Sequence, residues 1–100
     1  MRLEVTLRGS GSGKHPRAAR TVPIAVSIVE DSEQVRQTLA RLINRAEGFR
    51  CASQYGSAEA AIEGLPKDRP DVVLMDINLP GMNGVECVRR LKKTIPEVQF

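Results

Sequence analysis

Three carboxylates stand at the ends of apolar runs, and their spacing suggests a shared task. Glu30 and Asp31 follow Ile24-Ala25-Val26-Ser27-Ile28-Val29, and Asp76 follows Val72-Val73-Leu74-Met75, 45 positions beyond Asp31. If the two runs are neighbouring strands, all three acids meet at one end of a sheet. Their mutual repulsion would raise their pKa values unless a cation neutralised them. Mg²⁺ suits such a site, because it takes a few carboxylates or carbonyls and completes its octahedron with water and phosphate oxygens. An aspartate beside that ion can attack a phosphoryl group and carry it as an aspartyl phosphate, through a loose, in-line transition state whose charge the metal disperses.

The elements that must position these acids are legible from Pro23 onward. Residues 24–29 form a short apolar run rich in β-branched side chains, as expected of a strand buried on both faces. Ser32 can cap a helix that carries Val35, Leu39, Leu42, Ile43 and Ala46 on one face and ends near Gly48. Phe49–Tyr55 alternates weakly, the pattern of a less buried strand. Ser57 can cap a second helix through Ala58, Ala61, Ile62 and Leu65, punctuated by Gly64 and Pro66. After Asp76 comes the loop Ile77-Asn78-Leu79-Pro80-Gly81-Met82-Asn83-Gly84. A third helix from about Val85 buries Val88, Leu91 and Ile95 and stops at Pro96, and Val98-Gln99-Phe100 reads as the opening of a fourth strand. Alternation of this kind predicts a doubly wound parallel α/β sheet with right-handed crossovers and helices on both faces. In such sheets chemistry gathers at the carboxyl ends of the strands.

Length and charge narrow the function. One hundred residues allow one small domain, and 41% apolar with 27% charged residues is ordinary globular composition. The formal net charge of +3 is not spread evenly. Residues 1–22 hold five Lys/Arg against one Glu, 5 − 1 = +4, and residues 23–100 hold ten against eleven, 10 − 11 = −1. The basic excess belongs to a leader with flexible-linker composition at Gly9–Gly13, in which Leu3, Val5 and Leu7 alternate as in a brief extended piece. A nucleic-acid role for this chain is disfavoured, because none of Phe49, Tyr55 and Phe100 lies near the basic residues to stack on bases. Gly13-Lys14 does not complete a phosphate-binding P-loop, since Arg8 stands where the first glycine belongs and His15 where Ser/Thr is needed. Cys51 and Cys87 lack metal-ligand spacing and read as packing residues. No run approaches the length of a membrane span, no signal peptide is discernible, and a cytoplasmic location is expected.

Taken together, Val29-Glu30-Asp31-Ser32 and Leu74-Met75-Asp76-Ile77-Asn78-Leu79-Pro80-Gly81-Met82-Asn83-Gly84 resemble the receiver domain of two-component response regulators. The stretch Val85-Glu86-Cys87-Val88-Arg89-Arg90-Leu91-Lys92-Lys93 further resembles receivers of LuxR-type transcription factors. The resemblance covers residues 24–100. It implies a flavodoxin-like fold with strand order 2-1-3-4-5, cut after the third βα unit at the start of strand four. It also implies Asp76 as phosphoacceptor, Asp31 as the main Mg²⁺ ligand, Glu30 as a second acid acting directly or through water, and Asn78 as a ligand through its backbone carbonyl. Pro80 and Gly84 would shape the loop into the third helix.

The implied partner is a sensor histidine kinase, with a receiver–receiver dimer as a further option. The chain would be a phosphoacceptor rather than an enzyme, regulating an output, transcription by the LuxR resemblance, in a longer parent protein. The Ser/Thr that receivers carry after strand four and the Lys after strand five have no counterpart here, and strand three is expected to be an exposed apolar edge. The competing readings are an unphosphorylated interaction module of the same fold, or inactive fragment, and an aspartate-nucleophile phosphatase. Asn78 argues against the phosphatase, because it stands where a second acid would be needed.

Overall fold

The computed structural model describes residues 3–7, 22–98 and 100. In chain order the elements are β1 (Leu3–Leu7), β2 (Ile24–Val29), α1 (Glu33–Arg45), β3 (Phe49–Tyr55), α2 (Ala58–Asp68), β4 (Val72–Asp76) and α3 (Gly84–Thr94). They build one four-stranded sheet of order β1-β4-β2-β3. β2, β3 and β4 are parallel, as the strand–helix alternation requires, and β1 joins antiparallel.

Each helix starts where a short polar side chain can satisfy a free backbone N–H. Ser32 accepts from Val35 N–H, Ser57 from Ala60 N–H, and Asn83 from Glu86 N–H. β2 lies at the centre, and five of its six residues are buried. The only polar side chain among them, Ser27, is satisfied by Ser53 on β3, with the hydroxyl oxygens 2.6 Å apart. The β2–β3 register shifts between Val26 and Ser27, where Cys51 and Ser53 oppose them and Ala52 is left over. At the start of β4, Asp71 clamps the central pair: its carboxylate accepts from Ala25 N–H at 2.9 Å, and its own N–H donates to Ala25 carbonyl at 2.9 Å.

Alternation along the strands divides the core. Val29, Val73 and Met75 face α2 and α3, where Ala58, Ala61, Leu65, Cys87, Leu91 and Ile95 close around them. Val26, Val72 and Leu74 face α1 across an open apolar groove of about 300 Å³. The stripe expected to be buried on α1 is therefore only partly covered. Leu42 is 57% exposed, Ala46 is exposed, and Ala40 is the buried residue of that helix. One helix cannot cover both flanks of a sheet face.

Three further expectations change. β4 is not an open edge, because β1 pairs along all of it. Val98 and Phe100 are buried in the α2/α3 core but lie outside any strand, with Val98 N–H turning back to Ile95 carbonyl; Gln99 lies outside the described residues. α2 runs through Pro66 to Asp68, closed by Arg69 N–H on Leu65 carbonyl at 2.8 Å. The brief extended piece read at Leu3–Leu7 is strand β1, and the rest of the expected tail, residues 8–21, lies outside the described residues together with Met1 and Arg2.

Candidate functional site

Register alone brings the acids together. Val29 stands opposite Met75 in the parallel pair β2–β4, so the next residues, Glu30 and Asp76, leave the sheet side by side. Asp31 follows at the same corner. One carboxylate oxygen from each of Glu30, Asp31 and Asp76 lies within 4.8 Å of the others. Glu30 and Asp76 are each 2% exposed, and Asp31 opens to solvent.

The corner after β2 is tied by four hydrogen bonds. Glu30 N–H donates to Tyr55 carbonyl at 3.0 Å, extending the β2–β3 ladder. Glu30 Oε2 accepts from Ser32 N–H at 2.9 Å, and Ser32 Oγ caps α1. The Arg36 guanidinium reaches back from the first turn of α1 to donate to Glu30 carbonyl at 2.7 Å. Arg36 was not singled out in the sequence. Its signal is positional, since a long cation one turn after an N-cap can return to the preceding strand end, but many surface arginines share that position.

Beyond β4, Asp76 Oδ1 accepts from Asn78 N–H at 2.9 Å, fixing the carboxylate against the turn that leaves the strand. Asn78 thus sits beside Asp76, and the bond the structure gives it runs through its N–H. Gly84 returns the loop to the same place. Its N–H donates to Ile77 carbonyl at 3.2 Å, and a Cβ there would stand 2.4 Å from Asp76 carbonyl oxygen and 2.4 Å from Ile77 Cα. Gly81, at φ +74°, occupies the left-handed region that glycine tolerates.

Electrostatically the site is unbalanced. Burial pushes the Glu30 carboxyl above its ordinary value, and the neighbouring Asp31 and Asp76 push it further, against the opposing bond from Ser32 N–H. Glu30 Oε1 is buried and has no hydrogen-bond partner. Three carboxylates within reach of one another, one of them buried with an unpartnered oxygen, fit a hard divalent cation, and the donor set matches Mg²⁺ chemistry.

The family model of the response regulator receiver domain matches residues 26–100. The chain belongs to the response regulator receiver family. It is 33% identical over 76 residues to the response regulator GacA of Pseudomonas viridiflava, covering 76% of this chain and 36% of that protein. To protein-glutamate methylesterase/protein-glutamine glutaminase 1 of Syntrophus aciditrophicus it is 40% identical over 73 residues, covering 73% of this chain and 21% of that one. Among solved structures, a LuxR-family two-component response regulator from Aurantimonas superposes with a TM-score of 0.72 at 29% identity, over 76% of this chain and 54% of that one. This receiver chain therefore spans about a third or less of the curated relatives it matches. Its three parallel strands and flanking helices are those of the receiver fold, and its place is in two-component signalling. Among the described residues, no helix is long and apolar enough to cross a membrane.

Proposed function

We propose that this receiver accepts a phosphoryl group from a histidine kinase onto Asp76, with Mg²⁺ held by Glu30, Asp31, Asp76 and the backbone carbonyl of Asn78. The observation that carries the reading is the convergence of three carboxylates, one of them, Glu30, buried with an oxygen that has no hydrogen-bond partner. Bound Mg²⁺ would neutralise the acidic cluster and the oxygens of the incoming phosphoryl group.

The chain's own residues supply the rest. Asn78 N–H holds one oxygen of Asp76, which leaves the other as the nucleophile. That oxygen forms the new P–O bond as the P–N bond of the phosphohistidine breaks. The electron pair of the broken bond stays on the imidazole nitrogen, which ends neutral by taking up a proton. Arg36 and Ser32 fix the Glu30 corner, so the acids need little rearrangement. The chain acts as a phosphoacceptor in the cytoplasm, and in a longer parent protein it regulates an output, transcription by likeness to GacA and the LuxR-family structure.

Calorimetric titration with MgCl₂ tests the cation site. One ion per folded chain is expected, lost in Asp31→Asn. A folded chain that takes up no Mg²⁺ overturns the reading.

A further inference from the structure

Tyr55 enters the acidic site only through its backbone, yet its side chain is the better anchored part. It closes β3, which lies at one edge of the described sheet, and its carbonyl accepts the Glu30 N–H at 3.0 Å. The last residue of an edge strand frays unless something else ties it down.

The phenol supplies that tie. Tyr55 is half-buried against the α2/α3 core, and its hydroxyl donates to Asp68 Oδ2 in the last turn of α2. Gly64 makes the room. A Cβ on Gly64 would collide with the Tyr55 ring, whose Oη, Cζ and Cε1 are the three atoms nearest to it. Gly64 and Asp68 stand four residues apart on one helix and share a face, and helical side chains lean toward the N-terminus, which brings the Asp68 carboxylate back over Gly64. Phenol and carboxylate meet where the side chain is missing.

Both helix residues are poor choices for the end of α2 on local grounds. Glycine carries a large backbone entropy cost inside a helix, and the helix dipole disfavours a carboxylate in the last turn. Each has a physical account once this turn is shaped to receive Tyr55.

We propose that Tyr55 is a positioning residue for the acidic cluster: its phenol, seated on Gly64 and held by Asp68, fixes the end of β3 so that the Tyr55 carbonyl keeps Glu30 at the corner where the cation binds. The inference rests on the Mg²⁺ reading above. It makes the end of α2 and the cation site two coupled places, and by reciprocity cation binding tightens the Tyr55–Asp68 contact.

The chain contains one tyrosine and no tryptophan, so its tyrosine emission reports on Tyr55 alone. A carboxylate bonded to the phenol quenches that emission. MgCl₂ titrations of the unaltered chain followed by calorimetry and by emission should share one midpoint, with emission falling as the ion binds. Absence of calorimetric uptake by the folded chain overturns the Mg²⁺ reading, and this inference with it. Uptake that leaves the emission unchanged overturns this inference alone.

Variants assayed well below their own Tm separate positioning from stability. Tyr55→Phe keeps the ring and loses the hydroxyl, and Gly64→Ala displaces the ring while favouring the helix. Each should weaken Mg²⁺ binding about threefold to tenfold, the scale of one hydrogen bond. Asp68→Ala should weaken it as much and add nothing to Tyr55→Phe. Asp68→Asn, which loses the same charge but keeps an acceptor oxygen, should restore most of the affinity. Unchanged affinity in folded Tyr55→Phe or Gly64→Ala, or equal losses in Asp68→Asn and Asp68→Ala, overturns the inference.

Discussion

Gly84 lies directly against the backbone of Asp76, close enough that a methyl group at Gly84 would stand 2.4 Å from the Asp76 carbonyl oxygen. The contact joins the first residue of α3 to the last residue of β4 and so closes the intervening loop on itself. Gly84→Ala must therefore move backbone on one side or the other. Overpacking of this kind costs about 1–3 kcal/mol, and urea unfolding should show a loss in that range. Mg²⁺ affinity should fall as well, because the moved segment carries Asp76 and Asn78.

Glu30 gives the chain a pH dependence whose sign follows from its raised pKa. The folded state holds the Glu30 proton more tightly than the unfolded state does. Stability is therefore unaffected well below the ordinary value of 4.5 and falls as pH rises from there through the raised folded value. Asp31 and Asp76 face the group and drive the shift together with burial. In EDTA, Glu30→Gln should raise Tm near pH 7 and leave it unchanged near pH 3. With millimolar Mg²⁺ at pH 7 the order should reverse, since the ion stabilises only the chain that keeps the acid.

Arg36 is expected to act on the site through Glu30 without touching the ion. Its guanidinium supplies the bond to Glu30 carbonyl, and truncation leaves that oxygen short of a partner at a cost of about 1 kcal/mol. Arg36→Ala should weaken Mg²⁺ binding by more than its loss of stability explains. Arg36→Lys, which keeps a donor on a long stem, should restore part of that binding.

The two cysteines should separate cleanly with a thiol reagent. Cys87 is fully buried against Ala58 carbonyl, and burial pushes its thiol up to about 11, with Glu59 adding to the shift. Cys51 is half-buried, with a thiol raised by burial. Near pH 8 the native chain should take up one equivalent, slowly, at Cys51, and Cys87 should react only on unfolding.

Much of this was legible because local rules and the global fold agree. The β-branched run at residues 24–29, the caps at Ser32 and Ser57, and the acids placed just past apolar runs each have a short-range cause, and together they specify the parallel sheet and the pairing of Glu30 with Asp76. What the pattern could not reveal depends on partners distant in sequence. Leu42 and Ala46 obey helical periodicity, but their exposure is decided by how much of the sheet face α1 alone can cover. Leu3–Leu7 carries a strand's alternation, but only the tertiary structure shows it running antiparallel along β4. Arg36 and Asp71 are ordinary surface residue types whose work lies in bonds to strand backbone, Arg36 to Glu30 and Asp71 to Ala25. Pro66 would be expected to end α2, yet the helix continues to Asp68.

The most direct test of the account is phosphoryl transfer to Asp76. Incubating the folded chain with Mg²⁺ and a small phosphoramidate donor should give, by intact mass, one phosphoryl adduct that is labile to alkali. The adduct should vanish in EDTA and in Asp76→Asn, while Asp71→Asn, a change at the opposite end of β4, should keep it. A folded chain that takes up no phosphoryl group under these conditions, or one whose adduct survives Asp76→Asn, contradicts the account.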